Sequence, residues 1–140
     1  MQKLNNKDFL KYLKDTFNIV LNKGQEECVL NINGPMQVCA VPGAGKTFSV
    51  CTKLFNMVWN HNINPARILS VTFSKASAKD MDVKLKKTFE KVLIRDIEEY
   101  KDNPIKFSTI HSFAYKIVRD YAYLNNIIYE IIENKKKSII

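Results

Sequence analysis

At 140 residues and 46% hydrophobic, the chain is long enough to bury one domain core and too apolar for wholesale disorder. Its 22 Lys plus Arg against 14 Asp plus Glu leave a charge of +8, which suits a polyanionic partner such as nucleic acid and equally a merely soluble basic surface. No run is long and apolar enough to span a bilayer and no signal-peptide core opens the chain, so the expectation is a cytoplasmic protein without a membrane role.

Three cysteines, Cys28, Cys39 and Cys51, form an odd set without C-x-x-C spacing. That argues against a disulfide framework or a metal site and predicts small buried side chains.

Residues 5–17 read as an amphipathic helix with Phe9, Leu10, Leu13 and Phe17 on one side. A second short helix follows, with Asn22 as its candidate cap and Cys28, Val29 and Ile32 facing inward. Gln25 lies at its start. An exposed Gln is ordinarily a solvated residue, but its amide also offers the donor and acceptor pair that an adenine edge requires.

Residues 36–41, Met-Gln-Val-Cys-Ala-Val, read as an apolar strand feeding the turn Pro42-Gly43-Ala44-Gly45-Lys46-Thr47. A helix then runs to Trp59, with Cys51, Leu54, Phe55 and Val58 on one face. Strand, glycine turn, Lys-Thr and helix together form the context of a phosphate-binding P-loop. Gly43 and Gly45 permit positive φ and close approach, Lys46 supplies a cation to the β- and γ-phosphates, and Thr47 offers a hydroxyl to Mg²⁺. Ala40 stands where the generic pattern has its first glycine.

Residues 67–73, Arg-Ile-Leu-Ser-Val-Thr-Phe, are β-branched and apolar, as in a buried parallel strand. Ser74 and Lys75 open the next helix, which is predicted to bury Ala78, Met81, Leu85 and Phe89 and to expose Lys79, Lys84, Lys86, Lys87 and Lys91. Ligands of open α/β sheets bind beyond the carboxyl ends of strands, so Thr72, Phe73, Ser74 and Lys75 occupy a functional position. A short strand at residues 106–109 then leads into a helix with Ile110, Phe113, Ala114, Ile117, Val118 and Tyr121 on one face. The tail is strand-like around Tyr129-Glu130-Ile131-Ile132 and ends in a lysine cluster, Lys135-Lys136-Lys137.

Taken together these segments resemble the UvrD/PcrA/Rep-type superfamily 1A DNA helicases. Leu21-Asn22 with Gln25 resembles their Q motif, and residues 40–47 resemble motif I, where Ala commonly replaces the first Gly. Residues 71–81 are similar to motif Ia, and residues 107–113 to motif Ib. The resemblance spans residues 21–123 and leaves residues 1–20 as a helical lead-in to a partial helicase domain at 21–140.

The resemblance implies ATP and Mg²⁺ as cofactors, held by Gln25, Ala40, Val41, Pro42, Gly43, Ala44, Gly45, Lys46 and Thr47. It also implies single-stranded DNA against Thr72, Phe73, Ser74, Lys75, Thr109, His111 and Ser112. Hydroxyls and helix N-termini suit backbone phosphates, and an aromatic such as Phe73 can stack a base without reading it. Taken without the resemblance, His111 at a strand-to-helix junction reads as structural.

The family's motif II ends an apolar strand in Asp-Glu-x-x-Gln, and no Asp-Glu pair occurs here; Glu130 and Glu133 follow apolar residues without that pairing. The second RecA-like domain and its arginine fingers are also missing from these residues. The expectation is therefore ATP binding and DNA contact with little turnover by this chain alone. A regulator that occupies DNA or a full-length helicase shares every residue with that reading. A GTPase is excluded by the lack of Asn-Lys-x-Asp and Asp-x-x-Gly strings, and a small-molecule P-loop kinase leaves motifs Ia and Ib unexplained.

The predicted architecture is α/β, a P-loop NTPase with a partial RecA-like domain whose parallel strands are flanked by helices. An incomplete sheet would expose an apolar edge, which predicts marginal stability.

Overall fold

The computed structural model describes residues 3–129. Most of the strand-like stretch around Tyr129 to Ile132, together with Glu130, Glu133 and the lysine cluster at 135–137, lies outside the described residues.

Helix α1 (Asn6–Phe17) starts where the Asn5 side chain accepts the Asp8 N–H and stops where Asn18 turns left-handed at φ 55°. It buries Phe9 and Leu13 as its spacing predicts, while Leu10 and Phe17 stay half-buried. Helix α2 (Lys23–Leu30) begins in a reciprocal cap. The Asn22 side chain accepts the Gln25 N–H and the Gln25 side chain accepts the Asn22 N–H, both at 3.0 Å. Helix α3 (Lys46–Phe55) buries Cys51, Leu54 and Phe55, then widens into a π-helical turn at Asn56–Asn60.

That turn holds polar groups the periodicity could not reveal. Asn56 donates to Val29 O at 3.0 Å, and Asn60 donates to Asn56 Oδ1 at 3.0 Å. Asn60 Oδ1 in turn accepts the Leu4 N–H at 2.7 Å. Both side chains are buried, so these bonds satisfy groups that would otherwise be costly inside a core.

The core lies among α1, α3 and helix α4 (Lys75–Asp96). Phe55 and Phe89 stack with centroids 4.5 Å apart, Phe17 meets both rings edge-on, and Tyr12 stacks on Trp59 at 4.2 Å. Trp59 also donates its indole N–H to Asp96 Oδ2 at 2.7 Å. Of the residues predicted to be buried on α4, Ala78, Leu85 and Phe89 are, and Met81 is half-buried.

Strand β1 (Leu69–Thr72) pairs in parallel with β2 (Lys106–Thr109), Leu69 opposite Lys106 and Thr72 opposite Thr109, and α4 is the crossover between them. This is the expected parallel α/β arrangement on a small scale. The expectation of a buried strand at 67–73 fails, because Leu69 and Val71 remain 47% and 42% exposed.

Residues 36–41 are not part of any ladder either. A strand exists only where a neighbour takes its N–H and C=O groups, and the two described strands pair with each other. Cys39, predicted buried on that strand, is therefore exposed, whereas Cys28 and Cys51 are buried. Helix α5 (Ile110–Leu124) forms with the predicted period, yet Ile110, Ile117, Val118 and Tyr121 are exposed and Ala122 is its buried residue. No described helix is long and apolar enough to cross a membrane.

Two outcomes follow from the core. Phe55 is fully buried among four aromatic rings, so Phe55→Ala should cost about 3–5 kcal/mol in urea unfolding. The Arg95 guanidinium, hydrogen-bonded to Asp96, together with the Trp59 indole, holds the Asp96 carboxyl below its usual range. A depressed folded pKa contributes stability that is present above the unfolded value and lost as pH falls through the folded one. Asp96→Asn should therefore flatten the acid limb of a stability-versus-pH curve while keeping an acceptor for Trp59.

Candidate nucleotide and nucleic-acid sites

Four of the five described α-helices have a side-chain N-cap: Asn5, Asn22, Ser74 and Thr109. Helix α3 has none. Its N-cap is Gly45, at φ 78°, and its first turn carries no acidic residue. The first N–H groups of a helix need an acceptor, and with none supplied by a side chain they suit an external anion.

The loop before α3 has the shape this requires. Gly43 and Gly45 both sit in the left-handed region, at φ 81° and 78°, where a side chain is strained. The Ala44 N–H closes the turn on Val41 O at 3.2 Å. The Lys46 ammonium folds back on the loop and donates to Ala40 O at 2.7 Å and Val41 O at 3.0 Å. The carbonyl of Ala40, at the position where the generic pattern has glycine, is thus one of the two that hold the lysine. Pro42 is exposed at the turn. Thr47 is half-buried in the first turn of α3 and makes no side-chain hydrogen bond among the described residues, leaving its hydroxyl available as an oxygen ligand.

Gln25 reaches the same loop. Its Nε2 donates to Ala44 O at 3.2 Å, so α2 and the glycine loop are joined at this side chain. A cavity of about 520 Å³ opens beside them, lined by Asn22, Gln25, Val38, Ala40, Lys46 and Val50 among others. Of the residues expected around a nucleotide, Gln25, Ala40, Val41, Ala44 and Lys46 line this cavity, and Pro42, Gly43, Gly45 and Thr47 are not among its lining residues. The reciprocal Asn22–Gln25 cap goes beyond the Asn22 cap that the sequence analysis expects, and the Asn-x-x-Gln spacing before an apolar stretch carries its signal.

A second cluster forms where β1 and β2 end side by side. Thr72 and Thr109 are register partners, and each strand leads directly into a helix. Thr72 Oγ1 donates to Ser74 O at 2.9 Å, and Ser74 Oγ accepts the Ser77 N–H at 3.1 Å. Thr109 Oγ1 likewise accepts the Ser112 N–H at 3.1 Å and donates to Ser112 Oγ at 2.8 Å.

Between α4 and β2 lies an open cleft of about 590 Å³ lined by Lys75, Lys79, Asp82, Lys106, Thr109 and Ser112, among others. Lys75, Thr109 and Ser112 thus share one surface. Thr72, Phe73, Ser74 and His111 are not among its lining residues. Phe73 stands 88% exposed at the strand end, and His111 is exposed in the first turn of α5. Lys106 joins this surface as the lysine that begins the strand ending at Thr109, its one signal in the sequence. The two cavities share no lining residue.

Among the described residues no group of three His, Cys, Asp or Glu could hold a metal ion.

The model of the UvrD/REP helicase N-terminal domain matches residues 21–139. The chain belongs to this family. A probable DNA helicase II homolog from Mycoplasma capricolum is 38% identical over 100 residues, covering 71% of this chain and 13% of that protein. A probable DNA helicase II homolog from Rickettsia felis is 32% identical over 117 residues, covering 84% and 15% respectively. The ATP-dependent DNA helicase PcrA of Leuconostoc citreum is 30% identical over 99 residues, covering 71% and 12%. The chain thus spans only a small part of the length of these relatives.

Position 45 offers the sharpest structural test of the loop. An ideal Cβ there would lie 2.9 Å from Gln25 Nε2, on a backbone at positive φ. Gly45→Ala should cost about 1–2 kcal/mol of stability, measured by urea unfolding, from the left-handed backbone alone.

Proposed function

We propose that this chain is an ATP-binding, DNA-contacting portion of a UvrD-like helicase domain, with a P-loop NTPase, RecA-like core over residues 21–140 and a helical lead-in at 1–20. The observation that carries the nucleotide half is the uncapped N-terminus of α3 behind two positive-φ glycines, with Lys46 on the loop and Gln25 against it. Backbone N–H groups and Lys46 would take the β- and γ-phosphates, Thr47 would offer its hydroxyl to Mg²⁺, and Gln25 would meet the adenine edge. Bound Mg²⁺ would neutralise phosphate charge. Thr47 would be its partner, and the sequence holds no Asp-Glu pair of the kind motif II uses to activate water.

The DNA half is supported by the paired hydroxyl-capped helix starts, the lysines of the adjoining cleft and the exposed Phe73. Lys75, Thr109 and Ser112 would contact backbone phosphates of single-stranded DNA, with Thr72, Ser74 and His111 beside them, and Phe73 would stack a base. The exposed apolar face of α5 supports a further reading: it would pack against other helicase domains or a full-length helicase.

Titration with a fluorescent ATP analogue and Mg²⁺ tests the first half. Lys46→Ala should weaken binding by about tenfold or more, the worth of one charge-assisted contact to phosphate. Undiminished affinity in a folded variant would refute the assignment. For the second half, Phe73→Ala should cost about 1–3 kcal/mol in binding a single-stranded oligonucleotide, without changing the slope of affinity against salt. Lys75→Ala should instead lower that slope.

A further inference from the structure

Two of the three cysteines meet although nothing in their spacing suggests it. Cys28 belongs to α2 and Cys39 to residues 36–41, and both line the cavity of about 520 Å³ that Ala40 and Lys46 also line. The third, Cys51, is accounted for by packing. It lies in the aromatic core, its thiol donates to Met81 O at 3.6 Å, and burial pushes its pKa up to about 11. A thiol held in that form is inert.

Cys28 is also buried, at 5% exposed, yet it is not part of the core cluster and its thiol makes no hydrogen bond among the described residues. Cys39 is exposed, and no ladder fixes the segment that carries it. An enclosed thiol on a helix therefore shares a cavity with an accessible one on a less constrained stretch of backbone. In such an arrangement the exposed thiol reacts first and its neighbour resolves the product. Ala40, the residue after Cys39, supplies the carbonyl that holds Lys46 at 2.7 Å, so a bond drawing Cys39 towards α2 would act directly on the loop lysine.

We propose that Cys28 and Cys39 are a redox pair whose disulfide closes the nucleotide cavity. In the first step the Cys39 thiolate attacks a low-molecular-weight disulfide of the glutathione type. Its Sγ bonds to one sulfur, and the other sulfur leaves as a thiolate that takes up a proton. The Cys28 thiolate then attacks Cys39 Sγ and expels the second small thiol in the same way. Two protein thiols are oxidised to one disulfide, one small disulfide is reduced to two thiols, and the two protons pass from the cysteines to these. The closure rests on the nucleotide reading above; the pairing does not.

The test treats the folded wild-type chain with oxidised glutathione and reads peptide masses and nucleotide affinity separately. Mapping should join Cys28 to Cys39 and leave Cys51 a thiol. Affinity for a fluorescent ATP analogue with Mg²⁺ should fall about tenfold or more and return on reduction. Cys28→Ser should stop at the mixed disulfide on Cys39. Cys39→Ser should form no intrachain bond, and the oxidant should leave its own affinity unchanged. A wild-type chain whose two thiols stay free, or which carries glutathione without an intrachain bond, overturns the pair, and so does a disulfide to Cys51. A Cys28–Cys39 disulfide that leaves affinity unchanged overturns the closure. A reduced, folded chain that binds no analogue overturns the nucleotide reading and the closure with it, while the masses still decide the pairing. Should either variant fail to fold, the wild-type masses and affinities decide alone.

Discussion

The N-terminus of α3 is the constraint around which the described structure is arranged. A helix start without a side-chain cap leaves N–H groups without protein acceptors, and this one is presented by a loop bent through two left-handed glycines. Such a terminus is held in place only if the rest of its helix is anchored. Cys51, Leu54 and Phe55 anchor it within an aromatic cluster shared with α1 and α4. The far end is tied down by the Asn56–Asn60 hydrogen bonds that reach back to Val29 and Leu4. Packing at one end of the helix thus fixes the uncapped N-terminus at the other.

The same logic explains why the second cluster stands where it does. Parallel pairing places the carboxyl ends of β1 and β2 at one edge, because parallel strands share a direction. Each strand runs straight into a helix, so two helix starts come to lie together, and the hydroxyls of Ser74 and Thr109 cap them. Those caps differ from the bare start of α3. Side-chain oxygens already serve part of the N–H demand here, and the lysines of the adjoining cleft supply the positive charge.

Apolar surface is distributed unevenly over the fold. The helical side, α1 through α4, is closed around its aromatic rings, whereas the strands and α5 display Leu69, Val71, Ile117, Val118 and Tyr121 to solvent. A two-stranded sheet has too little area to cover its own faces, so the side chains that periodicity marks for burial find no opposing layer among the described residues. The family match falls in relatives several times longer than this chain.

By itself, the sequence determined the local elements. The spacing of Phe9 and Leu13, of Cys51, Leu54 and Phe55, and of Leu85 and Phe89 marks helices whose buried faces are those observed, and Gly43 and Gly45 mark the loop because few other residues tolerate positive φ. Tertiary structure decided what required a distant partner. Residues 36–41 have the composition of a strand but no ladder, α5 has an amphipathic period but no covering layer, and Gln25 reaches Ala44 only because α2 folds against α3. The reason is physical: periodicity and backbone preference are carried by neighbouring residues, whereas pairing, burial and the reach of one side chain to another depend on what the fold brings alongside.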